Sequence, residues 1–349
     1  MQYEVLKTKD EVKWRSVLAI FSCADVYFLP DYHKVYEENG EGEGCAFVVW
    51  DKSHILFYPF LIRSILMVGD YFLSELWYDI ETVYGYSGPL SNTTDLCFLH
   101  NAWAMFHKWC QENKVIAGFT RFHPVLQNQT LASSITRVQL DRDTVILDLR
   151  CSSLALWENY PSVQRNMVRK AIKNGLTCEE VDQYTHLNIF FHMYKQTMEH
   201  VGAASYYYFS KPFFENFCKY LGDHLKMFAV FREGKIIAIS LFLTYEKYIH
   251  YHLAGVDMVF RELKPNNLLL HSVAEWGIQN GYHLVHLGGG RSPSENDSLL
   301  HFKTSISKLR VSFCTGRCIY NEKVYNELCE LWLRQKKLEH PPYFLLYRL

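Results

Sequence analysis

The chain has 349 residues, 49% apolar and 21% charged, with a mean hydropathy of −0.13. That balance describes folded globular protein and excludes disordered, collagen-like and low-complexity polymers. Its 36 basic and 37 acidic side chains leave a net charge of −1, so no overall field draws it to DNA or to an anionic membrane. The charge is uneven. Residues 1–150 hold 13 basic against 19 acidic side chains (net −6) and the remainder 23 against 18 (net +5), which favours the second half for an anionic ligand.

The length predicts two domains, because a single core rarely keeps growing past roughly 250–300 residues. No run reaches the ~18–20 apolar residues of a membrane span; the best, residues 55–62, is ended by Arg63. The start of the chain lacks the charged head and apolar centre of a signal peptide, so a cytoplasmic protein with reduced thiols is expected. The ten cysteines include no Cys-x-x-Cys, and Cys314 and Cys318 sit too far apart along a strand to converge well on zinc. No metal site is expected.

In chain order, residues 45–62 read as two β-rich runs about a polar turn at Asp51 to Ser53, a hairpin. The chain continues through residues 83–90, an apolar helix at 96–112 and a strand at 115–122. A strand-like stretch, 145–149, ends near Arg150, and helical patterning resumes at Leu154; the expected domains are therefore 1–150 and 151–349. The next helix follows Pro161 and runs from Ser162 to Gly175, with Ser162 as N-cap and Gly175 as left-handed stop. Val163, Met167, Val168, Ala171 and Ile172 fill one side of it. Arg165, Arg169 and Lys173 form a ridge at i, i+4 and i+8 on the other, read either as a solvated face or as a clamp for phosphate.

Residues 227–243 repeat the hairpin about Arg232-Glu233-Gly234, and a third strand (248–255), a helix (266–279) and a strand (284–287) follow. The same layout twice predicts an α+β (α/β) fold of two tandem domains, each a mixed, mostly antiparallel sheet flanked by helices.

Three segments of the second half could carry chemistry. Arg261, Lys264, Asn266 and Asn267 surround a helix start at Pro265, where free N–H groups and the macrodipole favour an anion. Gly288, Gly289 and Gly290 close a strand and remove every Cβ where a substrate backbone or thioester would approach. Downstream lie Asp297, Phe302 and Lys303, and a lysine placed by an aromatic neighbour can neutralise an oxyanion. His250 and His252 face one side of a strand, for packing among aromatics or for proton transfer. No Ser-His-Asp order, His-Glu-x-x-His or nucleotide-hydrolysing loop is present.

Several pieces in a fixed order resemble the FemAB-like branch of the GNAT superfamily, whose best-known members are aminoacyltransferases that build peptidoglycan cross-bridges. They are Arg165-Asn-x-x-Arg169-Lys-Ala-x-Lys173-x-Gly175, Tyr251-His-Leu-Ala-Gly255, Pro265-Asn-x-Leu-Leu-Leu-His271 with Ala274-Glu-Trp276, His286-Leu-Gly-Gly-Gly290, and Ser298-Leu-Leu-x-Phe302-Lys303. Tyr84-Gly-Tyr-Ser-Gly-Pro89 in the first half resembles the family too. The resemblance implies two GNAT-like domains, with transfer of an acyl or aminoacyl group to an amine by direct attack. It places Lys303 near the transferred carbonyl. Asp297, Glu275 and His252 are the candidates for general base. Arg165, Arg169, Lys173, Tyr251, the three glycines and Phe302 are the candidates for substrate binding, and Arg261, Lys264, Asn266 and Asn267 for the co-substrate.

Two departures bear on the donor. The usual GNAT pyrophosphate loop is absent before Pro265, and so is the long charged helical hairpin that several bridge-forming members insert. The reading placed first is N-acyl transfer from acyl-CoA to an amine of a phosphate-linked cell-envelope or polysaccharide precursor, with no tightly bound cofactor and a place in the cytoplasm or peripherally at the membrane. The second keeps the chemistry with aminoacyl-tRNA as donor and a peptidoglycan precursor as acceptor. The third is a non-catalytic GNAT pair that binds a glycan or protein.

Overall fold

The computed structural model describes residues 1–336 and 343–349. Along the chain run β1 (Gln2–Lys7), α1 (Glu11–Leu18), α2 (Pro30–Glu38), β2 (Glu43–Trp50), β3 (Ile55–Val68), β4 (Tyr71–Glu81), β5 (Leu90–Ser91), α3 (Leu96–Glu112), β6 (Val115–Arg121) and β7 (Arg137–Asp148). There follow α4 (Ser153–Asn159), α5 (Ser162–Lys173), β8 (Leu176–Val181), α6 (Gln183–Val201), α7 (Lys211–Leu221), β9 (Leu225–Arg232), β10 (Lys235–Tyr245) and β11 (Tyr248–Val256). The last are α8 (Pro265–Gln279), β12 (Leu284–Gly289), α9 (Ser298–Thr304), β13 (Arg310–Ile319) and α10 (Glu322–Lys336). No helix among the described residues is long and apolar enough to cross a membrane.

The chain forms two compact units, Met1–Asp141 with Ser312–Leu349, and Arg142–Val311. Both expected hairpins are present, and each opens an antiparallel meander: β2-β3-β4 in the first unit and β9-β10-β11 in the second. A helix then returns the chain to a parallel partner, α3 leading to β6 beside β4, and α8 leading to β12 beside β11. The third strand of the first meander is Tyr71–Glu81, which precedes residues 83–90. Those later residues form the Tyr84-to-Pro89 loop, tied down by Asn128, whose amide donates to the carbonyls of Ser87 (2.9 Å) and Pro89 (3.0 Å).

The expected boundary also needs correction, because residues 312–349 belong with the first unit. β13 pairs antiparallel with β6, from Thr315 opposite Arg121 to Ile319 opposite Ala117. Next to it α10 buries Val324, Leu328 and Trp332 against Ile65, Val68 and Ile116. This pairing links residues so distant in sequence that local periodicity carries no sign of it.

In the second unit, the core lies between the sheet and α5 and α8, with Val168, Ala171, Leu269 and Val273 against Val145, Val230 and Ile249. The buried face of α5 is Gln164, Val168 and Ala171; Val163 and Ile172, expected inside, are 49% and 55% exposed. The helix is rotated because Gln164 and Asn267 of α8 exchange amide hydrogen bonds: Asn267 Nδ2 donates to Gln164 Oε1 (2.7 Å) and Gln164 Nε2 to the Asn267 carbonyl (3.2 Å). A buried amide pair satisfied on both sides is tolerated in a core where a lone amide is not.

Candidate active site of the second unit

β12 ends in the three glycines, and the turn after it leads into α9. Gly288 has a left-handed φ of +75° at a bulge opposite β7, where His286 pairs with Ile146 but Gly288 with Val145. At Gly290 a Cβ would lie 2.7 Å from Asp297 Oδ1, so glycine is needed for the turn to close on the carboxylate.

Asp297 organises the turn. Its Oδ1 accepts from Leu299 N (2.9 Å) and Leu300 N (3.0 Å), capping α9, and its Oδ2 accepts from Arg291 N (3.1 Å) and Ser292 N (3.2 Å). Burial works to raise its carboxyl, but the N–H groups of Leu300, Arg291, Leu299 and Ser292 outweigh it and hold the group below the usual carboxylate range. A carboxylate so engaged caps α9 and anchors the turn.

One helical turn and a half beyond, Lys303 is buried and its Nζ donates to the Gly289 carbonyl at 2.7 Å. Burial pushes its ammonium down to about 7; the charge of Arg142 adds to this and that of Asp297 opposes it. Arg142, on β7, donates to the Gly290 carbonyl at 2.8 Å. Two cations therefore grip successive carbonyls of the glycine turn. Arg142 had no signal in the sequence, since a lone arginine on a strand is unremarkable until its strand partner is known. Phe302 is half-buried against the core beside Lys303.

The other expected residues divide. Tyr251 lies against Phe242 on the core side of β11, ring centroids 5.5 Å apart, and burial pushes its phenol up to about 12. His252 stacks on Phe217 (5.3 Å), and burial, then the neighbouring His250, push its imidazole down to about 3. As a base near neutral pH it would be too weak. Glu275 faces His271 (3.7 Å), whose ring neighbours are Trp157 and Tyr160. It belongs to the α4–α8 contact and is not among the partners of the glycine turn. Asn267 is spent on Gln164, as described above, and Lys264 pairs with Glu262 (3.2 Å). Asn266 keeps a buried side-chain oxygen without a hydrogen-bond partner among the described residues, and Arg261 is exposed.

The expected ridge on α5 is likewise broken up. Arg165 turns inward and donates to the carbonyls of Glu158 (2.9 Å) and Tyr160 (2.6 Å), fixing the α4–α5 corner. Arg169 lies over the Trp157 ring at 5.2 Å, and Lys173 is exposed. In the first unit, sequence reading missed a fully buried pair, His123 Nε2 to Asp25 Oδ2 at 2.8 Å. Phe28, Tyr27 and Tyr86 surround the imidazole.

The glycine turn and the buried lysine above it lie at the end of a strand of a mixed sheet, in a stretch whose sequence matches an acyltransferase-type domain. Residues 162–303 match the family described as acetyltransferase (GNAT) domain. A curated relative, UDP-N-acetylmuramoylpentapeptide-lysine N(6)-alanyltransferase of Weissella viridescens, is 26% identical over 148 residues; the match covers 41% of this chain and 42% of the relative. In fold, the chain is similar to the crystal structure of FemX (13% identical, TM-score 0.70, covering 94% of this chain and 99% of that one). It is also similar to a conserved protein of unknown function from Bacteroides thetaiotaomicron (10% identical, TM-score 0.56, covering 91% and 99%). Residues 162–303 thus carry a GNAT-type acyltransferase domain, and the fold of the chain is like that of FemX.

Proposed function

We propose that the protein transfers an aminoacyl group from aminoacyl-tRNA to an amine of a nucleotide-linked peptidoglycan precursor. The observation that carries this reading is the buried Lys303 held at the glycine turn, in a chain related over 148 residues to an alanyltransferase. In the reaction, the acceptor amine attacks the ester carbonyl; the C–N bond forms, the C–O bond breaks, and the RNA 3′ oxygen leaves with the proton lost by the amine. Protonated Lys303 donates to the carbonyl oxygen as negative charge builds there. A donor fixed beforehand in a water-poor site acts without reorganisation and is typically worth about 10²–10³ in rate. Asp297 and Arg142 are positioning residues in this scheme, the first by capping α9 and the second by fixing the Gly290 carbonyl.

This reverses the order of the two donors weighed from sequence. Two of the four groups expected to cradle the pyrophosphate of coenzyme A are engaged elsewhere, Asn267 with Gln164 and Lys264 with Glu262, and the relative's own reaction is alanyl transfer. The match of residues 162–303 to an acetyltransferase domain supports acyl-CoA as a second reading.

The test is mass-spectrometric detection of product from alanyl-tRNA, or acetyl-CoA, with UDP-N-acetylmuramoyl pentapeptide. Transfer from the tRNA, reduced about 10²–10³-fold in Lys303→Ala, is the expected result. Transfer from acetyl-CoA alone selects the second reading. Full activity of Lys303→Ala removes the lysine from the mechanism.

A further inference from the structure

Away from the glycine turn, the second unit carries a cationic surface assembled from three stretches of chain. The C-terminal half of α5 contributes Lys170 and Lys173, both exposed, on a helix with no acidic residue. Gly175 then turns the chain into β8, whose first residue, Leu176, pairs with Arg232, so the β9–β10 turn bearing Arg232 and Lys235 lies beside the end of α5. Arg232 and Lys235 both sit over the Phe260 ring, at 5.6 and 5.0 Å from its centroid. Phe260 brings in the third stretch, the short 3₁₀ segment Met258–Leu263 before α8, which bears Arg261 and is followed by Lys264. The surface closes on itself, because Lys170 and Arg261 both act on the carboxyl of Glu262.

Its charges do not cancel. The three carboxylates on these stretches are each matched already, Glu233 by Arg232, Asp257 by Lys235 and Glu262 by Lys264. Lys170, Lys173 and Arg261 form no ion pair among the described residues, so a surplus of three positive charges faces solvent. The cations are spread, exposed and drawn from separate segments, with no enclosing wall. That geometry is poor for a single phosphate and suited to successive phosphates along a stiff polyanion. Val259, 83% exposed, is the one strongly exposed apolar side chain of the Met258–Leu263 segment, too little to hold the surface in a lipid layer.

We infer that this surface, Lys170, Lys173 and Arg261 foremost, docks the sugar-phosphate backbone of the donor's acceptor stem. The inference rests on the aminoacyl-tRNA reading above and adds to it where the body of the RNA lies. Such contacts are independent of base sequence and read the backbone of an A-form stem.

The experiment compares the binding of alanyl-tRNA by the wild-type chain and by a Lys170→Glu/Lys173→Glu/Arg261→Glu variant, across about 50–200 mM salt. A Lys108→Glu/Lys195→Glu/Lys323→Glu variant, with the same change in net charge at other exposed lysines, is the control. Circular dichroism verifies that all three are folded. The surface variant is expected to bind about 30–100-fold more weakly at ~0.1 M salt, with the slope of log K against log salt reduced by about 2–3, one unit or slightly less for each phosphate no longer neutralised. The control is expected to stay within about threefold. If wild type binds RNA and the surface variant matches the control in affinity and slope, the docking surface is refuted and the donor reading stands. If wild type binds no tRNA, both fall together. If the variant keeps RNA affinity but loses binding to phosphatidylglycerol vesicles, the surface belongs to a membrane and the inference is overturned.

Discussion

Replacing Lys303 by methionine should make the protein more stable while removing its proposed activity. The folded-state pKa of about 7 against 10.5 for an ordinary lysine is a shift of about 3.5 units, and at ~1.36 kcal/mol per unit the protonated amine costs the fold about 5 kcal/mol. At pH 7, where half the buried amine is neutral, the cost is about 4 kcal/mol. Methionine has similar length and no charge, but it leaves the Gly289 carbonyl without its donor, a loss of ~1–2 kcal/mol. The net expectation is a gain of about 2–3 kcal/mol at pH 7. The sign with pH is fixed by linkage: between pH 7 and 10.5 the unfolded chain binds the proton and the folded chain does not, so wild-type stability rises with pH in that window. Below pH 7 the penalty is complete and level. Urea unfolding of both proteins at integral pH values from 6 to 10 measures this, with other titrating groups cancelling in the difference. The advantage of Lys303→Met should be largest at pH 6 and shrink by about 1.4 kcal/mol per pH unit above 7. A difference that does not change with pH would refute the burial argument, and with it the view that this lysine is held in place at a cost to stability.

If Lys303 must be protonated to meet the oxyanion, kcat/KM should show a falling limb near pH 7, and Lys303→Arg should move that limb beyond the accessible range even if its rate is lower. Gly290→Ala drives a methyl to 2.7 Å from Asp297 Oδ1; transfer should fall at least tenfold, and slower amide exchange at Leu299 and Leu300 than in Asp297→Ala would separate displacement of the cap from its loss. Single replacements Gln164→Leu and Asn267→Leu each leave a buried amide orphaned and should cost about 1–3 kcal/mol, whereas the double variant should recover part of that in a double-mutant cycle. In the first unit, Asp79 is fully buried between Arg63 and Arg348, both at 2.8 Å, so Asp79→Ala should cost about 3–5 kcal/mol in thermal or urea unfolding.

Much of this architecture could be read from local pattern. The two hairpins, α3, α5 and α8 were legible in position from their apolar residues and stops, as where Gly175 ends α5 with a φ of +74°, although Pro161 and not the expected Ser162 is the N-cap of α5. What was lost depended on partners. Nothing in 71–81 marks β4 as the strand that precedes a parallel return, since its outer half is exposed and alternates weakly. The face of α5 was misplaced because a polar residue, Gln164, is buried where an apolar stripe was expected, and only its partner on α8 makes that favourable. At the candidate site, Lys303 and the glycines announced themselves as neighbours in sequence. Arg142 reaches the same turn from another strand, and His123 and Asp25 meet across 98 residues; no spacing rule reaches so far. Asp297 was visible as a residue but not in its role, which four backbone N–H groups decide.

The late return of β13 to β6 sets a timetable for synthesis. Residues 1–141 emerge first, yet β6 must wait with one edge unpaired until the whole of Arg142–Val311 has been made. At ~5–20 residues per second that wait lasts about ten to thirty seconds, during which the continuous second unit can finish folding before the older one. An unpaired edge beside apolar strands is a template for wrong pairing, so the nascent first unit is the stage at which this chain is most exposed to aggregation and most dependent on chaperones.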